Sequence, residues 1–325
     1  MISVKRSILL FVMVCSLRSF SFAWGCSGHE IVALIAERQL TAKAAQQVQS
    51  LLQNAMLYEN GKPKRFCHET QLGLMATYAT WADDFRELDR TTGDSHFWDI
   101  PLNSTAEPTL ADFCDQGCVV KALRDQVAVL KSATATEPQK AKALAFVIHF
   151  MGDLHQPLHI ISNNDRGGNC IPAAFFGKNP SISADGRSAS PNLHGLWDTE
   201  IPEKLGNIRT ATADDDIRSY VDKLMGDFEG DIPDWKNENI DFISWARESH
   251  DFAVKKGYGK LPHHVIPENP VKVNSCLDDN NIMQRMAALH ESVSKAYVTA
   301  AGPVVEEQLA KAGTRLAAVL NDVWK

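Results

Sequence analysis

Two His–Asp pairs are the residues of this sequence best suited to chemistry. His149 and Asp153 form the first pair, and His194 and Asp198 form the second, each with a spacing of four residues. Residues i and i+4 lie on one face of a helix, so an imidazole nitrogen and a carboxylate oxygen converge there as they do around zinc. His159 follows just past the first pair, which gives more ligands than one tetrahedral ion takes. The spacing therefore predicts a cluster of metal ions.

The first 23 residues have the order of features found in a secretory signal peptide. Lys5 and Arg6 precede an apolar run at 8–15 that is too short to cross a bilayer. A small-x-small pattern that ends at Ala23 predicts cleavage after that residue. We therefore expect residues 1–23 to be removed, and the mature protein to be secreted or periplasmic without a stable membrane anchor.

Cleavage after Ala23 would make Trp24 the first residue of the mature chain. A free α-amine has a pKa of about 8, low enough for a metal ion to displace its proton. The amine and the carbonyl oxygen of Trp24 can chelate one ion together, and His29 follows five residues later. The new terminus is therefore expected to contribute ligands to the metal cluster.

The charge balance limits the kind of nucleic-acid contact that this chain can make. The mature chain of 302 residues would carry 30 basic and 40 acidic side chains, a formal charge of −10 against −7 for the full sequence. Proteins that bind nucleic acid tightly along an extended groove are normally basic, so this composition disfavours that class. Bound metal ions would still create a local positive centre in an acidic protein.

Six cysteines remain after the signal peptide, and an even number in an exported chain is typical of disulfides. Cys114 and Cys118 close a short loop and are the easiest pair to predict. The remaining four are Cys26, Cys67, Cys170 and Cys276. They allow three pairings, among which the sequence does not choose. Thiolate ligation of zinc is the less favoured alternative, because the His/Asp set already fills the metal sites.

Helical periodicity dominates the sequence and predicts an all-α fold, with 24–325 forming a single compact multi-helix domain. The predicted helices are 30–40, 42–55 with Thr41 as N-cap, 72–88, 119–130, 138–154, 217–228, 242–256 and 282–324, the last with a break near Gly302. A stretch rich in Gly, Asn, Ser and Pro at 160–191 separates the two His–Asp pairs. Long loops in compact domains are often functional, and this one has room for a short hairpin at 170–190.

Several further motifs join these features, always in the same order along the chain. They are Trp24 and His29, Trp81-Ala-Asp83-Asp84-Phe-Arg86, Ser95-His96-Phe97, the run 149–159, Gly167-Gly168-Asn169, and Asn192-Leu-His194-Gly-Leu-Trp197-Asp198-Thr199. Each motif alone is weak, but the ordered set behind a signal peptide resembles the secreted zinc-dependent nucleases of the S1/P1 type. That resemblance implies the helical fold of zinc-dependent phospholipase C and single-strand nucleases.

The resemblance also implies three zinc ions per chain with a defined ligand set. One ion would be held by Asp83, His96, His149 and Asp153. A second would be held by the amine and carbonyl of Trp24, by His29 and by a shared Asp153. A third would be held by His159, His194 and Asp198.

Four residues are implied in catalysis. Asp83 and Asp153 hold the paired ions, and Arg86 lies three residues past Asp83 on the same helical face, where its guanidinium could bind a phosphate oxygen. Asp99, three residues past His96, is expected to orient the attacking water.

The residues that bind the base are less well defined by the resemblance. Phe113, Asp115 and Asn169 are the candidates. The loop between Cys114 and Cys118 holds three residues, whereas the fungal pattern holds four, so base preference stays open.

The resemblance implies a monomeric endonuclease with 3′-nucleotidase activity, which cuts single-stranded DNA and RNA to 5′-phosphate products. A zinc-dependent phospholipase C is one alternative. In that class the spacer between the terminal Trp and the next His is longer than the one between Trp24 and His29, and the last His–acid pair ends in Glu, whereas here it ends in Asp198. A non-enzymatic secreted zinc-binding protein is the other alternative, and it would not need Arg86.

Overall fold

The computed structural model describes residues 24–58, 67–104, 108–115, 117–182, 189–261, 276 and 291–325. This part of the chain is predominantly α-helical, which confirms the predicted fold class. The signal peptide predicted at 1–23 lies outside the described residues, as does the beginning of the last predicted helix at 282–290.

Six helices form the first half of the fold. They are α1 (Cys26–Glu37), α2 (Ala42–Gln53), α3 (Leu74–Ala79), α4 (Trp81–Leu88), α5 (Val119–Lys131) and α6 (Glu137–His155). Thr41 caps α2 as predicted, since its side chain accepts from Ala44 N at 3.2 Å. Short 3₁₀ helices, Arg90–His96 and Pro157–His159, follow α4 and α6.

The second half contains six more described helices. They are α7 (Leu193–Gly195), α8 (Ile201–Gly206), α9 (Ala213–Asp227), α10 (Ile232–Asn237), α11 (Phe242–Phe252) and α12 (Lys295–Val323). A π-helical turn, Leu196–Glu200, joins α7 to α8, and another, Ala253–Gly257, extends α11 into the 3₁₀ helix Tyr258–Lys260. None of the helices in the described ranges is long and apolar enough to cross a membrane.

The central helix is α6, which packs against α1–α5, α11 and α12. Its N-terminus is fixed where Thr136 N donates to Gln139 Oε1 at 2.8 Å, and Pro157 prevents the helix from continuing beyond Gln156. Every residue from 143 to 155 is buried, so α6 is surrounded on all sides. Because α6 carries His149 and Asp153, both side chains are held inside the hydrophobic core.

The loop between the two His–Asp pairs holds three short strands. β2 (Ser181–Ile182) and β3 (Ala189–Ser190) pair antiparallel, as the predicted hairpin requires. β1 (Ala173–Phe175) pairs parallel with β4 (Glu291–Val293), which comes from the far end of the chain. The predicted helix beginning at 282 is therefore wrong at 291–293, where the chain is extended, and α12 begins only at Lys295.

Two predicted helix boundaries differ from the structure for physical reasons. The single helix predicted at 72–88 is divided at Thr80 into α3 and α4. The division leaves the carbonyl of Ala79 available to accept a hydrogen bond from His149 Nδ1 at 2.7 Å. Conversely, the break predicted near Gly302 is absent, because α12 runs through Pro303 without interruption.

Candidate metal centre

Three groups of side chains bring metal-ligand atoms close together. They are His29, His149 and Asp153; Asp83, His96 and His149; and His159, His194 and Asp198. All members are buried, and the ligand atoms within each group lie within 4.8 Å of one another. The structure therefore brings together all eight side chains that the sequence predicted as metal ligands.

The first two groups meet on α6. Asp153 Oδ1 lies 3.4 Å from His29 Nε2, whereas Asp153 Oδ2 lies 3.0 Å from His96 Nδ1 and 3.3 Å from His149 Nε2. Asp83, from α4, approaches from the other side, with its Oδ1 3.8 Å from His149 Nε2. The two oxygens of Asp153 thus face two different groups, which is the arrangement that a bridging carboxylate needs.

The third group is assembled from the end of α6 and the α7–α8 region. His159 belongs to the 3₁₀ helix after α6, His194 belongs to α7, and Asp198 lies in the π-helical turn that follows. His194 Nε2 is 3.1 Å from His159 Nε2 and 3.4 Å from Asp198 Oδ2. Single π-helical turns inside helices are frequent at functional sites, and here one carries a ligand.

Backbone carbonyls fix the orientation of three of these imidazoles. His149 Nδ1 donates to Ala79 O, His159 Nδ1 donates to His96 O, and His194 Nδ1 donates to Gly167 O, each at 2.7 Å. A hydrogen bond at Nδ1 leaves Nε2 as the unprotonated, metal-binding nitrogen.

The ligand-to-ligand distances fit metal ions. Ligands about 2.0–2.2 Å from a tetrahedral ion lie about 3.3–3.6 Å from one another. The His–Asp distances among these ligands are 3.0–3.8 Å, which is around that range. The Nε2 atoms of His159 and His194 face each other at 3.1 Å, although both Nδ1 atoms already carry the donated proton. Two lone pairs at that separation repel each other unless a cation, either a metal ion or a proton, lies between them.

Unpartnered polar atoms point to the same conclusion. Asp83 Oδ1, Asp153 Oδ1, Asp198 Oδ2 and His29 Nε2 are buried and have no hydrogen-bond partner among the described residues. A buried polar atom without a partner is strongly destabilising, so such atoms require an explanation. Bound metal ions would satisfy all four.

The pKa directions of the ligand imidazoles are mixed: burial lowers those of His29, His96 and His194, whereas neighbouring carboxylates raise those of His149 and His159. Burial lowers the pKa of His29 well below 6.5 and that of His96 to about 4. In the third group burial raises the pKa of Asp198 to about 7, whereas for His159 the nearby Asp198 and Asp153 overcome burial and raise its pKa to about 9. A metal ion entering this group must displace a proton held between His159 and Asp198, so its affinity should depend on pH.

Trp24 lies in the core beside the ligands. The residue is completely buried, and a side chain at either Gly28 or Gly152 would contact it. Its neighbour Gly25 donates a backbone hydrogen bond to Asp198 O at 2.7 Å. The structure therefore places the predicted terminal residue between the first and third groups, and ligation by its amine stays a prediction.

Of the two predicted catalytic residues that are not ligands, Arg86 lies beside a ligand and Asp99 lies near Tyr258. Arg86 Nη2 is 3.5 Å from Asp83 Oδ1, and the Arg86 side chain is 19% exposed, so it faces both the centre and solvent. Asp99 is half-buried. Burial raises the pKa of Tyr258 well above 10, and the carboxylates of Asp165 and Asp99 add to that shift. Asp99 therefore lies close to Tyr258.

The predicted base-binding residues lie nearer the surface. Phe113 is 51% exposed with a left-handed φ of 59°, and Asp115 is exposed within the short disulfide loop. Asn169 is half-buried, and its Nδ2 donates to Arg166 O at 2.7 Å. Their binding role stays a prediction.

Gln156 is a site residue that sequence reasoning missed. The side chain is completely buried. Its Oε1 accepts from Leu158 N at 2.6 Å, and its Nε2 donates to Asp198 Oδ1. Gln156 therefore ties the end of α6 to a ligand of the third group. Its position between Asp153 and Pro157 was the only available signal.

All six cysteines that follow the predicted signal peptide form disulfides. Cys114 pairs with Cys118 as predicted, and the structure settles the open choice as Cys26–Cys67 and Cys170–Cys276. The alternative of thiolate zinc ligands is therefore wrong. Three disulfides are typical of a protein that folds in an oxidising compartment.

The fold and the site together define a class, an all-α protein whose buried histidines and aspartates could hold a cluster of metal ions. Within that class the chain belongs to the S1/P1 nuclease family, whose model matches residues 24–325. The match begins at Trp24, the residue that signal-peptide cleavage is expected to expose.

Curated relatives from fungi and a plant cover nearly the full chain. Nuclease S1 of Aspergillus oryzae is 28% identical over 98% of this chain and 98% of its own length. Endonuclease 2 of Arabidopsis thaliana is 28% identical over 93% of this chain and 90% of its own. Nuclease P1 of Penicillium citrinum is 24% identical over 92% of this chain and 97% of its own. The family membership favours the nuclease over the phospholipase C alternative.

Proposed function

We propose that this protein is a zinc-dependent endonuclease that hydrolyses single-stranded DNA and RNA to 5′-phosphate products and also acts on 3′-nucleotides. The observation that carries this proposal is the buried set of His and Asp ligand atoms, in which backbone carbonyls orient three imidazoles and four ligand atoms have no hydrogen-bond partner among the described residues. Family membership supports the choice of a phosphodiester as substrate.

The donor set favours three zinc ions per chain. Imidazole nitrogen and carboxylate oxygen are ligands that zinc accepts, and all six mature cysteines are already used in disulfides. The three groups correspond to the three ions, with Asp153 shared between two of them and the Trp24 amine and carbonyl completing the one that contains His29. Bound there, zinc ions would supply hydroxide at neutral pH and neutralise phosphate charge.

The chain's own residues would orient the substrate. Arg86, partly exposed beside Asp83, can donate to a phosphate oxygen without leaving its helix. Asp99 would accept a hydrogen bond from the attacking water or hydroxide and so fix its direction. Phe113, Asp115 and Asn169 would contact the base beside the metals.

The proposed substrate form follows from charge. The mature chain has a formal charge of −10, so binding energy would come from the metals, one phosphate and a stacked base rather than from a basic groove. A base in a duplex is already stacked and cannot reach such a site. Single strands should be cut faster than duplexes, and the rate should depend only weakly on salt, because few phosphates are neutralised by Lys or Arg.

Two further proposals concern the protein in its cell. The signal peptide at 1–23 and the three disulfides favour a secreted or periplasmic enzyme. We also propose that residues 24–325 form one domain that acts as a monomer.

One experiment tests the central proposal. The mature protein is purified without chelator, its metal content is measured by elemental analysis, and its rate is compared on single-stranded DNA, RNA, duplex DNA, 3′-AMP and phosphatidylcholine. Three zinc equivalents and preferential cleavage of single strands are expected. One equivalent or fewer, or equal rates on single and double strands, would refute the proposal. Hydrolysis of phosphatidylcholine alone would instead indicate the phospholipase.

A further inference from the structure

The loop that holds His194 in place has an unusual backbone. Asn164 and Arg166 have left-handed φ values of 55° and 60°, and Gly167 and Gly168 follow at 60° and 86°. Non-glycine residues adopt this region only where the surroundings enforce it. A side chain at Gly167 would collide with Leu158 O and lie 3.2 Å from His194 Nδ1. The strained segment thus brings Gly167 O within 2.7 Å of that nitrogen.

A buried carboxylate, Asp165, lies at the centre of this loop. Its Oδ1 accepts from Gly168 N at 3.1 Å and from Asn163 N at 3.3 Å. The Tyr258 hydroxyl donates to it from outside the loop, 2.9 Å from Oδ1 and 3.1 Å from Oδ2. Asp165 is completely buried and Tyr258 is 4% exposed. A buried acid that accepts from both sides of a left-handed turn holds that turn in shape.

Tyr258 is itself attached to the helical scaffold. It begins the 3₁₀ helix that follows α11, and the preceding residue, Gly257, offers its carbonyl to the Tyr297 hydroxyl of α12 at 2.7 Å. The Tyr297 hydroxyl also accepts from Trp197 Nε1 at 2.8 Å, next to the ligand Asp198. The loop is therefore connected through Tyr258 to elements that do not themselves supply a ligand.

We propose that Asp165 and Tyr258 are positioning residues for the third metal site, acting through Gly167 O on the imidazole of His194. Tyr258 fixes Asp165, Asp165 fixes the left-handed turn, and the turn aims one carbonyl at His194 Nδ1. This proposal rests on the proposed function, because it requires a metal ion at His159, His194 and Asp198. The other two ligand groups have supports elsewhere, such as Ala79 O for His149.

The prediction is a selective loss of one metal. Partners that orient metal ligands typically contribute about 10–100-fold in metal affinity. Tyr258→Phe removes only the hydroxyl and keeps the packing of the ring, and Asp165→Asn keeps the shape of the side chain while weakening its role as acceptor. In either variant one of three zinc ions should dissociate at a free-zinc concentration about 10–100-fold higher than in the wild type.

The experiment measures zinc per chain, rather than rate, after equilibrium dialysis against zinc buffers of graded free concentration. Tyr220→Phe is the matched control, since Tyr220 is 2% exposed and its hydroxyl donates to Glu306 at 3.3 Å, outside the loop. Far-UV circular dichroism follows folding in each variant.

The outcomes separate this inference from the proposed function. Loss of one zinc ion in Tyr258→Phe, with two retained and wild-type binding in Tyr220→Phe, supports the inference. Wild-type occupancy in Tyr258→Phe, or parallel loss of all three ions, overturns it while the wild-type count of three still supports the nuclease proposal. A wild-type count of two leaves no third ion to lose and overturns this inference alone, whereas a count of one or fewer also overturns the proposed function. If Asp165→Asn fails to fold, the Tyr258→Phe result decides.

Discussion

Replacing Gly152 by alanine would add one methyl group at a tightly packed point of α6. The new carbon would lie 2.7 Å from His29 Nδ1 and 2.9 Å from His29 Cε1. Ordinary contacts between such atoms are about 3.5 Å or longer. The His29 ring or the α6 backbone must therefore move by about 0.8 Å to accommodate the methyl group.

The expected effect on stability is modest and the effect on rate is large. Overpacking a core costs about 1–3 kcal/mol, and alanine recovers about 0.5–1 kcal/mol over glycine inside a helix. The net loss in the free energy of unfolding is therefore about 0–2.5 kcal/mol. The same displacement disturbs the 3.4 Å approach of His29 Nε2 to Asp153 Oδ1. Misplacement of a ligand on this scale lowers rate by about 10–100-fold.

Gly226→Ala provides the matched control, because Gly226 lies in α9 with no atom within 4 Å of an added methyl group. That variant should keep the wild-type rate and metal content. For both variants, urea denaturation gives the free energy of unfolding, and elemental analysis and initial rates on single-stranded DNA report the site. If Gly152→Ala retains wild-type metal content and rate, the close packing of His29 against α6 is not required for catalysis.

Three further predictions address other parts of the site and the core. A chain that retains one residue before Trp24 should lose most of its activity, because the Trp24 amine would then be part of an amide and could not bind a metal ion. Circular dichroism should show that this chain folds normally. Full activity would show that the amine is not a ligand. Arg86→Ala should keep its metal content and lose about 10²-fold in rate, as removal of a charge-stabilising donor usually does, and unchanged kinetics on every phosphodiester would contradict that role. Burial lowers the pKa of His250 below 6.5 despite the hydrogen bond that its Nε2 donates to Pro101 O at 3.1 Å. When the pKa of a group is lower in the folded state than in the unfolded state, the group favours folding above the unfolded pKa of about 6.5. That contribution to the free energy of unfolding is lost as the pH falls through the folded pKa. The free energy of unfolding should therefore decrease on acidification, and His250→Gln should reduce that slope in urea titrations at pH 5–7; an unchanged slope would exclude His250 as a contributor.

The ligands could be predicted from the sequence because their signal is local. His149 and Asp153 lie on one face of α6, whose helical periodicity predicted a helix at 138–154. The carbonyls that orient the imidazoles gave no such signal, because every residue has one. Which carbonyl is available depends on tertiary structure, as with Ala79 O at the division between α3 and α4 and Gly167 O in the left-handed loop.

Strand and disulfide pairings between distant segments could not be predicted from the sequence either. β1 at 173–175 pairs with β4 at 291–293, and Cys170 pairs with Cys276 across a separation of 106 residues. Such pairings depend on how the intervening helices pack. The short strand at 291–293 was therefore wrongly included in the helix predicted at 282–324. The short link from Cys114 to Cys118, by contrast, is fixed by its own length.

The position of α12 in the chain has a consequence for the timing of activity during synthesis. Every predicted ligand lies between residues 24 and 198, whereas α12, which packs on both α1 and α6, begins at Lys295. A growing chain on the ribosome therefore contains the complete set of predicted ligands well before it contains the helix that packs on two of the ligand-bearing helices. During that interval the predicted ligands lack the support of α12, so we expect nuclease activity to appear only when synthesis of the chain is nearly finished.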